Sequence, residues 1–281
     1  MTAETIGARF RALHRPGEPF VLANVWDAGS ARLLAAMGAE ALATASAAHA
    51  QTLGRPDGGH VTRDEALAHA AEIVRATPLP VSGDLENGYG PTPEDAARTV
   101  RQAAVAGLAG CSIEDTDLPG RGLYEFDQAV ARVEAAVAAA RDLDEDFVLC
   151  ARADGMLSRS YDLDEALRRL KAFEAAGADC LYAPGAWDID TIRRITDAVS
   201  APVNILVAGP LTKLGKADFA DAGVARLSLG PMLARTATQA VLRAGEAILS
   251  SGDFSRLADA ADGRQIDKML AAGADAQRLE Q

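Results

Sequence analysis

No stretch of this 281-residue chain stays apolar for anything near the roughly 20 residues that a membrane-spanning helix needs, although 49% of its residues are hydrophobic. A helical membrane protein is thereby excluded, and a soluble one is expected. The opening segment, MTAETIGARFRALHRPGEP, carries charge throughout and lacks the continuous hydrophobic stretch of a secretory leader, so a cytoplasmic location is the default expectation. Cysteine is scarce. Cys111, Cys150 and Cys180 are odd in number, widely spaced and set in or beside apolar runs, which argues against a disulfide framework and for buried free thiols. The four histidines, His14, His49, His60 and His69, show no compact ligand spacing, so zinc is not expected. Lys and Arg together number 28 against 40 Asp and Glu, a formal charge of -12 with no basic patch, which opposes a nucleic-acid partner. An anionic substrate would then need a metal, an arginine or backbone donors supplied locally.

Nucleotide signatures are missing as well. Gly88-Tyr89-Gly90 is followed by Pro-Thr-Pro rather than by the glycine that completes a dinucleotide turn, and there is no phosphate loop ending in Gly-Lys-Ser/Thr. No organic cofactor is implied.

What the chain does have is a repeated strand and helix rhythm. Eight short apolar segments read as strands: 20–24, 41–46, 80–84, 110–114, 147–151, 180–183, 203–207 and 225–229. Helix starts between them are chemically legible in Thr62 with Glu65, in Thr92 before Pro93, and in Asp162 with Glu165. Helix exits recur at Gly38, Gly107, Gly177 and Gly223, each just ahead of an apolar strand. The alternation predicts an α/β fold, a (β/α)8 TIM-like barrel with additional C-terminal helices. We divide the single barrel domain, 1–281, into an N-terminal arm (1–17), a barrel core (18–235) and a C-terminal helical extension (236–281). Apolar stripes on that extension would serve subunit packing or cover the barrel bottom.

Acidic residues cluster where predicted strands end. In SGDLENGYG, Asp84 and Glu86 stand two apart, which on an extended chain turns both carboxylates to the same side. Glu114 and Asp115 end the CSIEDT strand, and Arg152 and Asp154 end ARADG. Carboxylates gathered at one barrel mouth repel one another unless a cation, an arginine or hydrogen bonds compensate. Hard oxygen ligands suit Mg2+, with Mn2+ as an alternative, and such an ion polarises a 2-oxo carboxylate. Arg152 is the candidate clamp for substrate or developing enolate, or else a plain salt-bridge partner of Glu114. Asp57 lies in GRPDGG, either a loop reaching over the site or an ordinary turn. Ser46, with the amides of Ala47 and Ala48, would bind a carboxylate or simply begin a helix.

Taken in order, NVWDAGSARLLAAMGAEALATAS, GRPDG, SGDLENGYG, GCSIEDT, ARADG, VNILVAGP and ARLSLGP resemble the isocitrate lyase and phosphoenolpyruvate mutase superfamily over roughly residues 18–235. That resemblance implies a (β/α)8 barrel, a divalent magnesium ion and a small 2-oxo or related hydroxy carboxylate substrate. It implies metal-shell roles for Asp84, Glu86 and Glu114, a substrate-facing role for Arg152, and a functional acidic loop at Asp57. Ser46, Ala47 and Ala48 fall in the region that resembles its substrate-carboxylate nest. It also implies a homo-oligomer, a tetramer with exchanged C-terminal helices.

Two departures narrow the expectation. Glu86 stands where aspartate is common, which changes reach but suits a water-mediated contact. The segment after Glu114, DTDLPGRGLYEFD, carries neither the gating cysteine of the isocitrate and methylisocitrate branches nor the asparagine of the phosphonopyruvate branches. Cys111 belongs to the preceding strand. Asp117, Arg121 and Tyr124, with Gly120 and Gly122 as flexible flanks, are expected to form a short gate. The reading is a magnesium-dependent lyase working through an enolate, by oxaloacetate decarboxylation or substituted-malate cleavage, with Asp57 positioning water or the leaving fragment and Tyr124 or solvent as proton donor. Phosphonopyruvate P–C chemistry ranks second, and a keto-acid-binding protein without turnover third.

Overall fold

The computed structural model describes residues 5–120 and 122–275. Its strands are short because each is buried on both sides and needs only a few residues to cross the sheet. They are β1 (Phe20–Asn24), β2 (Ala41–Ala43), β3 (Val81–Asp84), β4 (Gly110–Glu114), β5 (Thr116–Asp117), β6 (Gly122–Leu123), β7 (Val148–Arg152), β8 (Cys180–Tyr182), β9 (Val203–Leu206) and β10 (Arg226–Ser228). Eight of them close a parallel barrel in the order β1-β10-β9-β8-β7-β4-β3-β2. The ring is sealed where Phe20 pairs with Arg226 on one side of β1 and Leu22 with Ala41 on the other. The expected eight-stranded barrel is what forms. β5 and β6 pair antiparallel outside it, in the segment expected to be a gate.

Outward-facing strand residues Leu42, Val81, Ile113, Leu149, Leu181 and Leu227 are buried in the core beneath the helices, each contributing about 1.5–3 kcal/mol. The capping chemistry works at Thr62 and Thr92, where Glu65 and Asp95 each return a bond to the cap amide. At Asp162 only half of the box forms. Glu165 donates its amide to Asp162, but its carboxylate is drawn instead to Arg168 and Arg169.

The N-terminal helix, Ile6–Ala12, stoppers the barrel from below. Phe10 is fully buried against Phe20, Leu22, Ala41, Ala43 and Val148, and a side chain at Gly7 would strike the carbonyl of Asp146, so the helix needs glycine to sit this close. His14 follows. Its Nδ1 lies 2.9 Å from the Phe10 carbonyl, so Nδ1 carries the proton and Nε2 accepts from Arg226 Nη1 at 3.1 Å. Burial, followed by the charge of Arg226, lowers its pKa to about 3. The unfolded chain therefore binds this proton more readily than the folded one. Stability should be complete above the ordinary histidine value near 6.5 and fall by up to about 1.4 kcal/mol per pH unit as pH drops toward 3. Urea unfolding at pH 7 and pH 5 checks this against His14→Gln, which keeps an acceptor for Arg226. Parallel pH dependence in the two proteins would rule the account out.

The last barrel strand runs into a 20-residue helix, Met232–Ser251, which begins ahead of the expected boundary at 236 and buries only Ala234. A final helix, Gly263–Ala274, returns to pack on Ala28–Ala36, with Gly273 against the Arg32 carbonyl. On the first of these helices Val241, Leu242 and Leu249 remain exposed, as do Phe254 and Leu257 in the link between the two. No described helix is long and apolar enough to cross a membrane.

Candidate active site

At the C-terminal ends of the strands a cavity of about 320 Å³ opens, lined by Ser46, Ala47, Asp57, Asp84, Arg152 and Arg235 toward the mouth. Arg152 organises it from the end of β7. Its Nη1 donates to Asp84 Oδ1 at 2.8 Å, and its Nη2 lies 2.9 Å from Glu114 Oε2. Asp154 grips the same guanidinium through Nε at 3.1 Å and Nη2 at 2.7 Å, a planar fork that fixes its orientation. Asp154 is held in turn, its amide donating to Asp115, which also accepts from Tyr161 and Arg169.

One guanidinium thus serves three carboxylates. Burial opposes the Arg152 charge, but Asp154, Glu114 and Asp84 overcome it and hold the group protonated. Glu114 fares differently. Its share of Arg152 does not offset burial and the repulsion of Asp154 and Asp84, so its pKa is raised. Glu86 is pushed up to about 7, first by burial and then by Asp84 and Asp57, against a bond from Gly59 that favours the ionised form. Burial and Asp84 raise Asp57 as well.

Both carboxylate oxygens of Asp84 accept bonds within the protein. Its Oδ2 accepts from both the amide (2.9 Å) and the hydroxyl (2.8 Å) of Ser46. The strand expected to run to Ser46 stops at Ala43 because Ser46 opens the helix Ser46–Thr52. Ala47 faces the cavity. Ala48, one step into the first turn, instead packs with Ala45, Ala234 and Trp26.

The extended-chain expectation for Asp84 and Glu86 fails locally. β3 ends at Asp84, and Glu86 takes a left-handed conformation with φ of 47°. This turns its carboxylate sideways, to accept from Gly59 at 3.2 Å through both oxygens. Glu86 lines a small side chamber with Asp84, His49, His69 and Tyr89 rather than the main cavity. The Gly59 bond ties the Asp57 loop to the strand ends. A side chain at Gly59 would come within 2.9 Å of Pro119 in the β5–β6 hairpin, so the loop is wedged between hairpin and barrel.

Tyr124 is not brought to the cavity, which corrects its expected place as proton donor. It is buried, with Arg132 stacked 4.3 Å over its ring, and its hydroxyl accepts from Asn87 and faces the Gly90 carbonyl. The reason is the hairpin itself, which turns the chain back so that Tyr124 packs under the helix starting at Phe126. Asp117 pairs in the hairpin, and Arg121 lies outside the described residues. Cys111 is buried on the outer face of β4.

Sequence reasoning missed Tyr182, Trp187, Asn204, Arg226, Ser228 and Arg235, all of which line the cavity. Counting back in twos along each strand from Asp84 and Glu114 would have found Ser82 and Ser112. An arginine inside the apolar ARLSLG strand was a visible signal for Arg226. Arg235 carried none, because only the packing of its helix aims it at the mouth.

A closed parallel barrel with carboxylates and an arginine converging at its strand C-termini is the layout of a (β/α)8 enzyme. The chain belongs to the phosphoenolpyruvate phosphomutase family, whose model matches residues 10–249, within the isocitrate lyase and phosphoenolpyruvate mutase superfamily. A protein of Burkholderia cenocepacia J2315, provisionally described as a lyase/mutase, is 46% identical with a TM-score of 0.91 over 97% of this chain and 98% of its own. An oxaloacetate decarboxylase of Chromohalobacter salexigens is 32% identical over 76% of this chain and 75% of its own. A 2,3-dimethylmalate lyase superposes with a TM-score of 0.83 at 27% identity, covering 95% of each chain.

Proposed function

We propose that this protein is a lyase that cleaves a carbon–carbon bond beside the carbonyl of a small 2-oxo or 2-hydroxy di- or tricarboxylate, through an enolate. Oxaloacetate decarboxylation or substituted-malate cleavage is the reaction we favour. The observation that carries the reading is Arg152, a charge-bearing donor locked at the cavity wall beside Asp84 and Glu114, where an oxygen gaining negative charge would be stabilised.

A divalent ion fits the donor chemistry of the mouth. Asp84, Glu86 and Glu114 are hard oxygen donors; burial is the first cause that raises Glu86 and Glu114, and the repulsion of Asp84 that adds to it is what a cation would relieve. Among the described residues no three such groups lie close enough to bind one ion directly. Asp84, Glu86 and Glu114 would therefore hold Mg2+, or Mn2+, largely through water, as Mg2+ commonly is held. When bound, the ion supplies a Lewis acid for a carbonyl oxygen.

The chain's own residues do the rest. Ser46 and Ala47 bound the carboxylate end of the cavity, and Arg235 at the rim is placed to attract a second carboxylate. As the carbon–carbon bond breaks, its electron pair enters the enolate, whose charge Arg152 offsets. Asp57 at the mouth positions water or the leaving fragment. With Tyr124 packed elsewhere, solvent delivers the proton that turns the enolate of a decarboxylation into the keto product. In substituted-malate cleavage the 2-hydroxyl gives its proton to water held by Asp57 as it becomes the keto group, and solvent protonates the enolate of the other fragment.

The direct test is magnesium-dependent pyruvate release from oxaloacetate, substituted malates, 2-methylisocitrate and phosphonopyruvate, each corrected for spontaneous breakdown. Pyruvate from oxaloacetate or a malate supports the reading. Pyruvate with phosphate from phosphonopyruvate would replace it by P–C bond chemistry, and ligand binding without any product would replace it by a keto-acid-binding role.

A homo-oligomer in the cytoplasm completes the proposal, and a tetramer with exchanged C-terminal helices is its specific form. The exposed apolar residues between 241 and 257 support it, and the packing of Gly263–Ala274 on Ala28–Ala36 is a contact that exchange would make between chains. Leu249→Glu with Phe254→Glu should shift the mass measured by light scattering toward the monomer. An unchanged mass would separate these residues from any interface.

A further inference from the structure

(β/α)8 barrels usually fill their interior with bulky branched side chains. Here several inward positions are small: Ala43 on β2, Ser82 on β3, Ser112 on β4 and Ser228 on β10 all line the cavity, which consequently descends into the barrel. Leu22, Tyr182 and Leu206 line it as well, and at its lower end lies a long charged side chain. Arg226, only 3% exposed, lines the cavity floor at the start of β10.

Apart from the Cys150 sulfur, its partners are uncharged. Nε donates to Asn204 Oδ1 at 2.9 Å, and Nη1 meets the unprotonated Nε2 of His14. The Asn204 amide is spent in turn on Ser228 at 2.9 Å. Among the described residues no carboxylate pairs with Arg226, and the hydroxyls of Ser82 and Ser112, residues that line the cavity, are spent on no other protein group. A buried cation without a counter-charge costs several kcal/mol, and two hydroxyls facing the same space are donors awaiting an acceptor. The sulfur of Cys150 is the other candidate counter-charge. Burial raises this thiol, but its bond with Cys180 and the Arg226 charge outweigh that and lower it.

We propose that the cavity floor is a subsite for a small anion, of halide or carboxylate size, held by the Arg226 guanidinium and the hydroxyls of Ser82 and Ser112. Two sources fit this chemistry, a free inorganic anion and the far carboxylate of a diacid reaching down from the mouth. The second rests on the proposed lyase reading; the first does not.

Crystals of the wild-type protein soaked in graded sodium bromide, with anomalous diffraction, test the subsite without requiring turnover. A peak is expected against Arg226 between Ser82 and Ser112. Arg226→Met should abolish it. If that variant does not fold, Ser82→Ala with Ser112→Ala, which keeps the guanidinium, should raise the bromide needed for half occupancy about tenfold, as loss of two hydrogen bonds implies. Displacement of the peak by malonate assigns the subsite to a diacid's second carboxylate, and persistence assigns it to a free anion. No floor peak in the wild type, or a peak unchanged in the variants, overturns the proposal. So does thiolate absorbance showing Cys150 ionised at neutral pH in a bromide-free floor.

Discussion

Arg152→Ala protein should fold and yet turn over its 2-oxo substrate at least about 10²–10³-fold more slowly, the loss typical when a preorganised donor to a developing oxyanion is removed. The physical case is unusually direct, since this one guanidinium bonds Asp84, Asp154 and Glu114 at once. Its removal takes away the positive charge that we propose faces the reacting oxygen and leaves three carboxylates without their shared arginine. They respond by taking up protons, so a second signature follows. Glu114, already raised by burial, should rise further, and whatever activity remains should need higher pH. Steady-state kinetics across pH reads both effects. Loss confined to kcat places the interaction in the transition state, whereas a raised KM alone would make Arg152 a binding residue. Wild-type kinetics in a folded variant would remove Arg152 from the site.

Asp84→Asn keeps the shape of the side chain and removes its charge. An amide can still accept from Arg152 through oxygen, but its nitrogen then faces the amide and hydroxyl of Ser46, where Asp84 Oδ2 now accepts two bonds. The substitution thus exchanges an acceptor for a donor against two donors, on top of the lost charge. We expect a fall in kcat of at least about 10²-fold and a Mg2+ affinity weakened by about 10–100-fold. Calorimetric titration of Mg2+ without substrate separates the two consequences. Unchanged metal affinity would mean that Asp84 serves Arg152 and Ser46 alone.

Much of this was legible in the chain itself, for reasons that can be stated residue by residue. Thr62, Thr92 and the exit glycines act locally, so their caps and turns form as their chemistry dictates, and Gly38, Gly107, Gly177 and Gly223 all adopt positive φ. The convergence of Asp84, Glu114 and Arg152 follows from parallel strands in a closed ring, because each is the last residue of its strand. What escaped depends on single dihedrals or on distant packing. Glu86 turns away because one residue is left-handed. Tyr124 is drawn beneath Arg132 by a hairpin too short to show alternation. Arg235 reaches the mouth from a helix whose aim no local pattern encodes.

The small residues lining the barrel interior separate two properties that most enzymes set together. The chemistry we propose sits at the rim, on Asp84 and Arg152 with Glu114 beside them, whereas depth is set two residues below Asp84 and Glu114, by Ser82 and Ser112. Enlarging a residue at the lower level would shorten the chamber as a plunger does, and leave the reacting groups where they are. Relatives that share this rim could therefore diverge in the length of acid they accept through changes at the lower level alone.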